Sequence, residues 1–164
     1  MRRYHIVLIV IAILAIFFLA FGYIPARASL LYGPPARALS ISDRIEYSLR
    51  LLSYGELLTT PFVPYGIEQS FHIEQGESIF SVASRLEDSF IIADAQAFYD
   101  YVVYTGLDLS IQAGNYTLSP ALSIIDIARE LQDSTPEDIT LVIIAGWRME
   151  EIAASLPTSG LDIS

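Results

Sequence analysis

The strongest constraint on this chain is the stretch from Ile6 to Ile24, which carries no charged residue. At about 1.5 Å rise per residue, a helix of that length reaches roughly 28 Å, close to the ~30 Å hydrocarbon thickness of a bilayer. A buried core helix would show a polar stripe or a shorter run, whereas Ile6, Leu8, Val10, Ile13, Phe17, Phe18 and Phe21 leave no polar face. The sequence therefore predicts a membrane-spanning helix over residues 6–24. Ala26-Arg27-Ala28, after Pro25, has the small-x-small form of a signal-peptidase site. Cleavable signals carry an apolar region of about 7 to 15 residues, and this one is longer, so an uncleaved single-pass anchor is expected.

Charge barely decides the orientation, since Arg2 and Arg3 on one side face Arg27 and Arg37 on the other. Residues 1–5 can only be a stub, however, and long domains translocate largely regardless of charge. The expectation is a cytoplasmic stub over 1–5, an anchor in the plasma (inner) membrane over 6–24, and a domain on the extracytoplasmic side. Beyond Ala28 the chain holds six arginines against all 19 acids, a net of −13, and it has no lysine. Such a balance argues against a nucleic-acid partner, which needs a basic face, and against a polybasic grip on anionic lipid. There is no cysteine, and His5 and His72 are the only histidines, so neither a disulfide framework nor a metal or other cofactor is expected.

Residues 25–69 read as a spacer, with Gly33-Pro34-Pro35 near its start and Pro61, Pro64 and Gly66 at its end. Within it, Ile45, Leu49 and Leu52 form a stripe that predicts an amphipathic helix over Ser42–Tyr54, acting as a stalk or packing on the domain. The domain proper is expected over 70–164, an α+β ectodomain in the order strand, helix, helix, strand, helix, strand, helix. Ser70–Glu74 alternates, with Phe71 and Ile73 on one face, and ends in a Gln75-Gly76 turn. A helix then runs from about Ser78 to Asp88, burying Ile79, Val82, Ala83 and Leu86. Asp94 caps a second helix through Tyr104, closed by Gly106. A strand over Ala113–Leu118 follows. Ser123 then starts a third helix with Asp126 in the capping-box position and Ile124, Ile127, Ala128 and Leu131 inward. Ile139–Ile144 reads as a continuous apolar strand and Met149–Leu156 as the last helix.

The chain also repeats itself. Val82, Ala83 and Leu86 stand at the same distances from Gly76 as Ile152, Ala153 and Leu156 do from Gly146. Each glycine follows a strand and opens a helix, which predicts two strand-turn-helix units whose glycines take positive φ.

Phe71-His72-Ile73-Glu74-Gln75-Gly76-Glu77-Ser78-Ile79, continuing to Val82-Ala83, resembles the opening of a LysM module, a small peptidoglycan-binding fold. This unit is followed by Ala113-Gly114-Asn115-Tyr116, the Ser123–Leu131 helix and the Thr140–Ile144 strand, then Gly146-Trp147 and Ile152-Ala153. In that order the chain resembles the front half of the YceG-like family, the MltG-type endolytic murein transglycosylases. The resemblance implies a membrane anchor, a LysM-like region and a lyase activity on peptidoglycan glycan strands during cell-wall processing. It also implies that Gly76, Glu77, Ser78 and Ile79 form the loop that meets glycan. Two departures stand out. Ala145 precedes Gly146 where the family has Glu-Gly, and the family's catalytic glutamate is expected in a segment beyond Ser164. No catalytic residue is assigned, and this segment is expected to position glycan rather than cut it. The rival expectations are a stand-alone membrane-tethered peptidoglycan-binding protein and an interaction module for cell-wall synthesis or division proteins.

Glycan cleavage of this type needs a carboxylic acid held partly protonated. The adjacent pairs Glu87-Asp88 and Glu150-Glu151 sit on helices where a solvated face is expected, and Glu137-Asp138 falls in a turn. His72 points outward by strand alternation, with no second histidine nearby. Phe98, Tyr99, Tyr101 and Tyr104 crowd one helix and read as core. Trp147, at a strand-to-helix junction, is the best single candidate for a glycan-stacking platform, with core packing as its alternative.

Overall fold

The computed structural model describes residues 2–132, which fall in one compact unit, Met1–Ser134. The expected strand 139–144, the helix 149–156, Gly146, Trp147 and the acidic pairs after Ser134 lie outside the described residues, as does the second copy of the repeat.

The chain opens with one unbroken helical run. α1 spans Arg2–Phe18, a single wider π turn covers Leu19–Tyr23, and α2 spans Ile24–Tyr32. Over Tyr4–Tyr32 this helix is long and apolar enough to cross a membrane. It does not end at Pro25, where the spacer was expected to begin. Proline lacks an N–H and its ring crowds the carbonyl four residues earlier, so it interrupts a regular helix. Here the π turn lies just before it, closed by the Ile24 N–H on the Leu19 carbonyl, and Pro25 falls in the first turn of α2, where its missing donor costs little. The helix stops at Gly33, whose φ of +95° is followed by Pro34 and Pro35.

α3, Ile41–Tyr54, is capped by the Ser40 hydroxyl on the Asp43 N–H and runs into a 3₁₀ turn, Gly55–Leu58. Its Leu51, with Leu58 and with Ala28 and Tyr32 from α2, is buried in the same core as residues after Gln69. The segment expected as a spacer thus contributes core side chains.

β1, Gln69–Ile73, pairs antiparallel with β2, Gly114–Leu118, in the register Phe71 to Tyr116 and Ile73 to Gly114. Between them come α4, Ile79–Asp88, and α5, Ala95–Thr105, and after them α6, Ile124–Glu130. A two-stranded ribbon is marginal alone and persists here because its inner face, Phe71, Ile73, Tyr116 and Leu118, packs on the helices. The class is α+β, in the strand-helix-helix-strand-helix order anticipated for this part of the chain. The caps are those the sequence predicts: Ser78, Asp94 and Ser123 each accept a backbone N–H three residues on, and Gly106 ends α5 in the left-handed region. α4 ends less predictably. The Ile91 N–H bonds the Leu86 carbonyl and the Phe90 N–H that of Glu87, which places Phe90, an exposed non-glycine residue, at φ +56°.

α3 and α5 meet around a buried carboxylate. Asp100 is fully buried and accepts from the Tyr54 hydroxyl at 2.8 Å and from Gln96 Nε2 at 2.8 Å, with Arg50 Nη1 at 3.4 Å. Burial first, and then the hydrogen bond to Asp100, drives the Tyr54 phenol well above its usual range.

Candidate functional site

The turn between β1 and α4 carries four of the five candidate residues. β1 delivers the chain outward at Ile73, and Gly76 reverses it at φ +79°, with open space where a Cβ would stand. Ser78 then starts α4, its hydroxyl accepting the Ser81 N–H at 3.2 Å. Ile79 is half-buried against the core.

Glu77 is the hub of this turn. Its carboxylate accepts from the Ser81 hydroxyl at 2.7 Å, from Arg85 Nη1 at 3.0 and 2.8 Å, and from the Glu74 N–H at 3.2 Å. Arg85 in turn donates to the His72 carbonyl at 2.9 Å and lies over the Phe71 ring, 4.9 Å from its centroid. Burial alone would raise the Glu77 pKa, but the hydrogen bonds from Ser81 and Arg85 outweigh it, so the carboxyl titrates below the usual glutamate range. Three pieces, the end of β1, the turn and the second turn of α4, are thereby tied through one ion pair. Arg85 is not among the residues that the sequence singles out. Its signal is faint, because residues 77 and 85 are too far apart for a helix-surface pair and meet only because Glu77 precedes the helix.

The other candidates separate clearly. His72 is exposed, its Nδ1 2.8 Å from Asn115 Oδ1 across the ribbon. Phe98, Tyr101 and Tyr104 are buried in the core, and Tyr99 is half-buried against it. Tyr116 is buried as well, its hydroxyl in hydrogen-bonding reach of the Gln112 and Leu131 carbonyls. Glu87 and Asp88 are exposed at the end of α4. Two acids do titrate high: burial raises Asp108, and burial followed by the nearby Asp126 and Glu68 raises Glu130. Among the described residues, no group of three or more His, Asp or Glu converges as a metal site would require.

A sequence model of the YceG-like family matches residues 71–163, from within β1 onward. No curated protein and no solved structure matches the chain.

Proposed function

The chain belongs to the YceG-like family, and from that premise we propose that it serves an MltG-type endolytic murein transglycosylase, a lyase that cuts nascent glycan strands near the membrane and leaves an anhydro end. The observation that carries this reading is the family match over 71–163, which runs from within β1 through α4, α5 and β2. In this reading that unit is LysM-like and meets glycan through Gly76, Glu77, Ser78 and Ile79, with Trp147 as a stacking face. The helix Tyr4–Tyr32 anchors the chain in the plasma membrane with the domain on the extracytoplasmic side, among cell-wall synthesis or division proteins.

The turn positions glycan rather than cutting it. A general acid for glycosidic cleavage needs a raised pKa, and Glu77, the carboxylate at the turn, is held ionised by Arg85 and Ser81. Affinity is modest, since a small acidic module offers few stacking faces against an association cost of about 4 kcal/mol or more. The test is retention of the full chain, in detergent, on purified sacculi, with mass spectrometry of the soluble fraction. Retention should vary little with salt, because an acidic domain has no cationic patch to be screened. Trp147→Ala should weaken binding by about 1 kcal/mol through loss of a stacking face. Anhydro-ended muropeptides in the supernatant would overturn the positioning role. Absence of retention at both low and high salt would overturn glycan binding and favour a protein-partner role.

A further inference from the structure

We propose that the turn over residues 61–67 rests in the lipid headgroup layer beside the membrane helix, as a second and interfacial contact with the bilayer. This rests on the anchor reading above.

The domain grips its helix close to the end of the apolar run. Ala28 is fully buried and Tyr32 nearly so, both in the core that also holds Phe71 and Phe98. At about 1.5 Å per residue, Ala28 stands only ~6 Å along the helix from Ile24, the end of the apolar run. A domain holding the helix at that height cannot stand clear of the membrane, so one of its faces must meet the headgroups.

Composition selects the face. The chain beyond Ala28 carries a net charge of −13, and its acidic surfaces are repelled by anionic lipid. Between Glu56 and Glu68 there is no charged residue. Phe62, Val63, Tyr65 and Ile67 are exposed within that stretch, Tyr65 at 96% and Ile67 at 84%. Among the described residues beyond Tyr32, the remaining large exposed apolar side chains, such as Ile41, Phe80 and Leu109, stand singly along the chain.

The turn is also held in shape. The Val63 N–H bonds the Pro120 carbonyl at 2.9 Å, the Gly66 N–H bonds the Val63 carbonyl at 2.9 Å, and the Ser119 hydroxyl bonds the Gly66 carbonyl at 3.1 Å. Gly66 lies so close to the Pro120 ring that a Cβ would collide with it. The fold thus fixes a Pro64-Tyr65 tip whose side chains touch little of the protein. A tyrosine ring with apolar neighbours suits the boundary between water and hydrocarbon. A protein partner would also suit apolar side chains, but the grip of the core on the helix at Ala28, together with the absence of charge from the turn, decides for lipid.

The chain lacks cysteine, so single-cysteine labelling is clean. Tyr65→Cys and, on the exposed end of α4, Glu87→Cys each carry a nitrobenzoxadiazole dye in the full chain, reconstituted into vesicles of phosphatidylcholine and phosphatidylglycerol. The expected result is flotation with the vesicles, emission from position 65 shifted to shorter wavelength than from position 87, and protection of position 65 from an aqueous quencher. Flotation with a label at 65 no bluer and no better shielded than at 87 overturns the proposal alone and leaves the turn to a protein partner. Failure to float overturns the anchor reading, and the proposal falls with it.

Discussion

Two turns in this protein are built around glycine for opposite reasons. Gly76, between β1 and α4, needs its freedom of backbone angle: it sits at φ +79° with nothing where a Cβ would be. Gly66 lies outside the left-handed region and needs its lack of bulk, because the Pro120 ring occupies the space a side chain would take. The surroundings differ in the same sense. The Gly76 turn is tied by charge, through Glu77 and Arg85, whereas the Gly66 turn is tied by backbone carbonyls and the Ser119 hydroxyl with no charge in it. One residue type therefore answers a torsional demand at one site and a steric demand at the other, and the two respond differently to substitution.

The largest effect is expected at the steric site. Gly66→Ala should destabilise by about 2–3 kcal/mol, because Pro120 belongs to a bonded turn that must shift as a whole. Thermal unfolding of the full chain in detergent checks this, and pairing it with Pro120→Ala should recover much of the loss. An unchanged melting temperature would mean that the approach to Pro120 is looser than described. Next comes the ionic tie. Glu77→Ala should cost about 2 kcal/mol, since it strips a carboxylate from Arg85, Ser81 and the Glu74 N–H together. The sign with pH follows from the lowered Glu77 pKa. Its stabilisation is present above the ordinary glutamate range and is lost as pH falls through that range toward the lower folded value. The gap between parent and Glu77→Ala should therefore narrow in acid, and a constant gap across an acid titration would remove the ion pair from the account. The smallest effect is at the torsional site: Gly76→Ala should cost about 1 kcal/mol, and Gly76→Asn less, because asparagine tolerates positive φ. Equal losses for alanine and asparagine, read from urea midpoints, would break the contrast between the two turns.

What could be read in advance divides along a physical line. Helix starts and stops depend on neighbours within a few residues, so Ser78, Asp94, Ser123 and Gly106 announced themselves, as did the alternation that buries Phe71 and Ile73. The site turn was legible to the same extent, since Gly76 and Ser78 act locally. What escaped was settled across the fold. Pro25 looks like a helix end, yet a π turn just ahead of it lets the helix continue to Tyr32. Ala28 and Leu51 belong to segments that read as linker, and only the packed structure shows which of their faces the core claims. Nothing near Asp100 in the sequence announces its burial, because Arg50 and Tyr54 reach it from another helix. The role of Trp147 lies outside the described residues.

The Asp100 cluster has a consequence for how this protein comes apart. Its donors Arg50 and Tyr54 belong to α3, ahead of the family-matched stretch, while Asp100 and Gln96 belong to α5, inside it. For α3 to peel away alone, it would have to give up the Arg50 and Tyr54 bonds to Asp100 and uncover Leu51 in the same motion. α3, ahead of the match, and the described part of the matched stretch therefore form one cooperative unit. Amide hydrogens at Leu51 and at Phe98 should exchange with a common opening free energy, rather than with α3 fraying first.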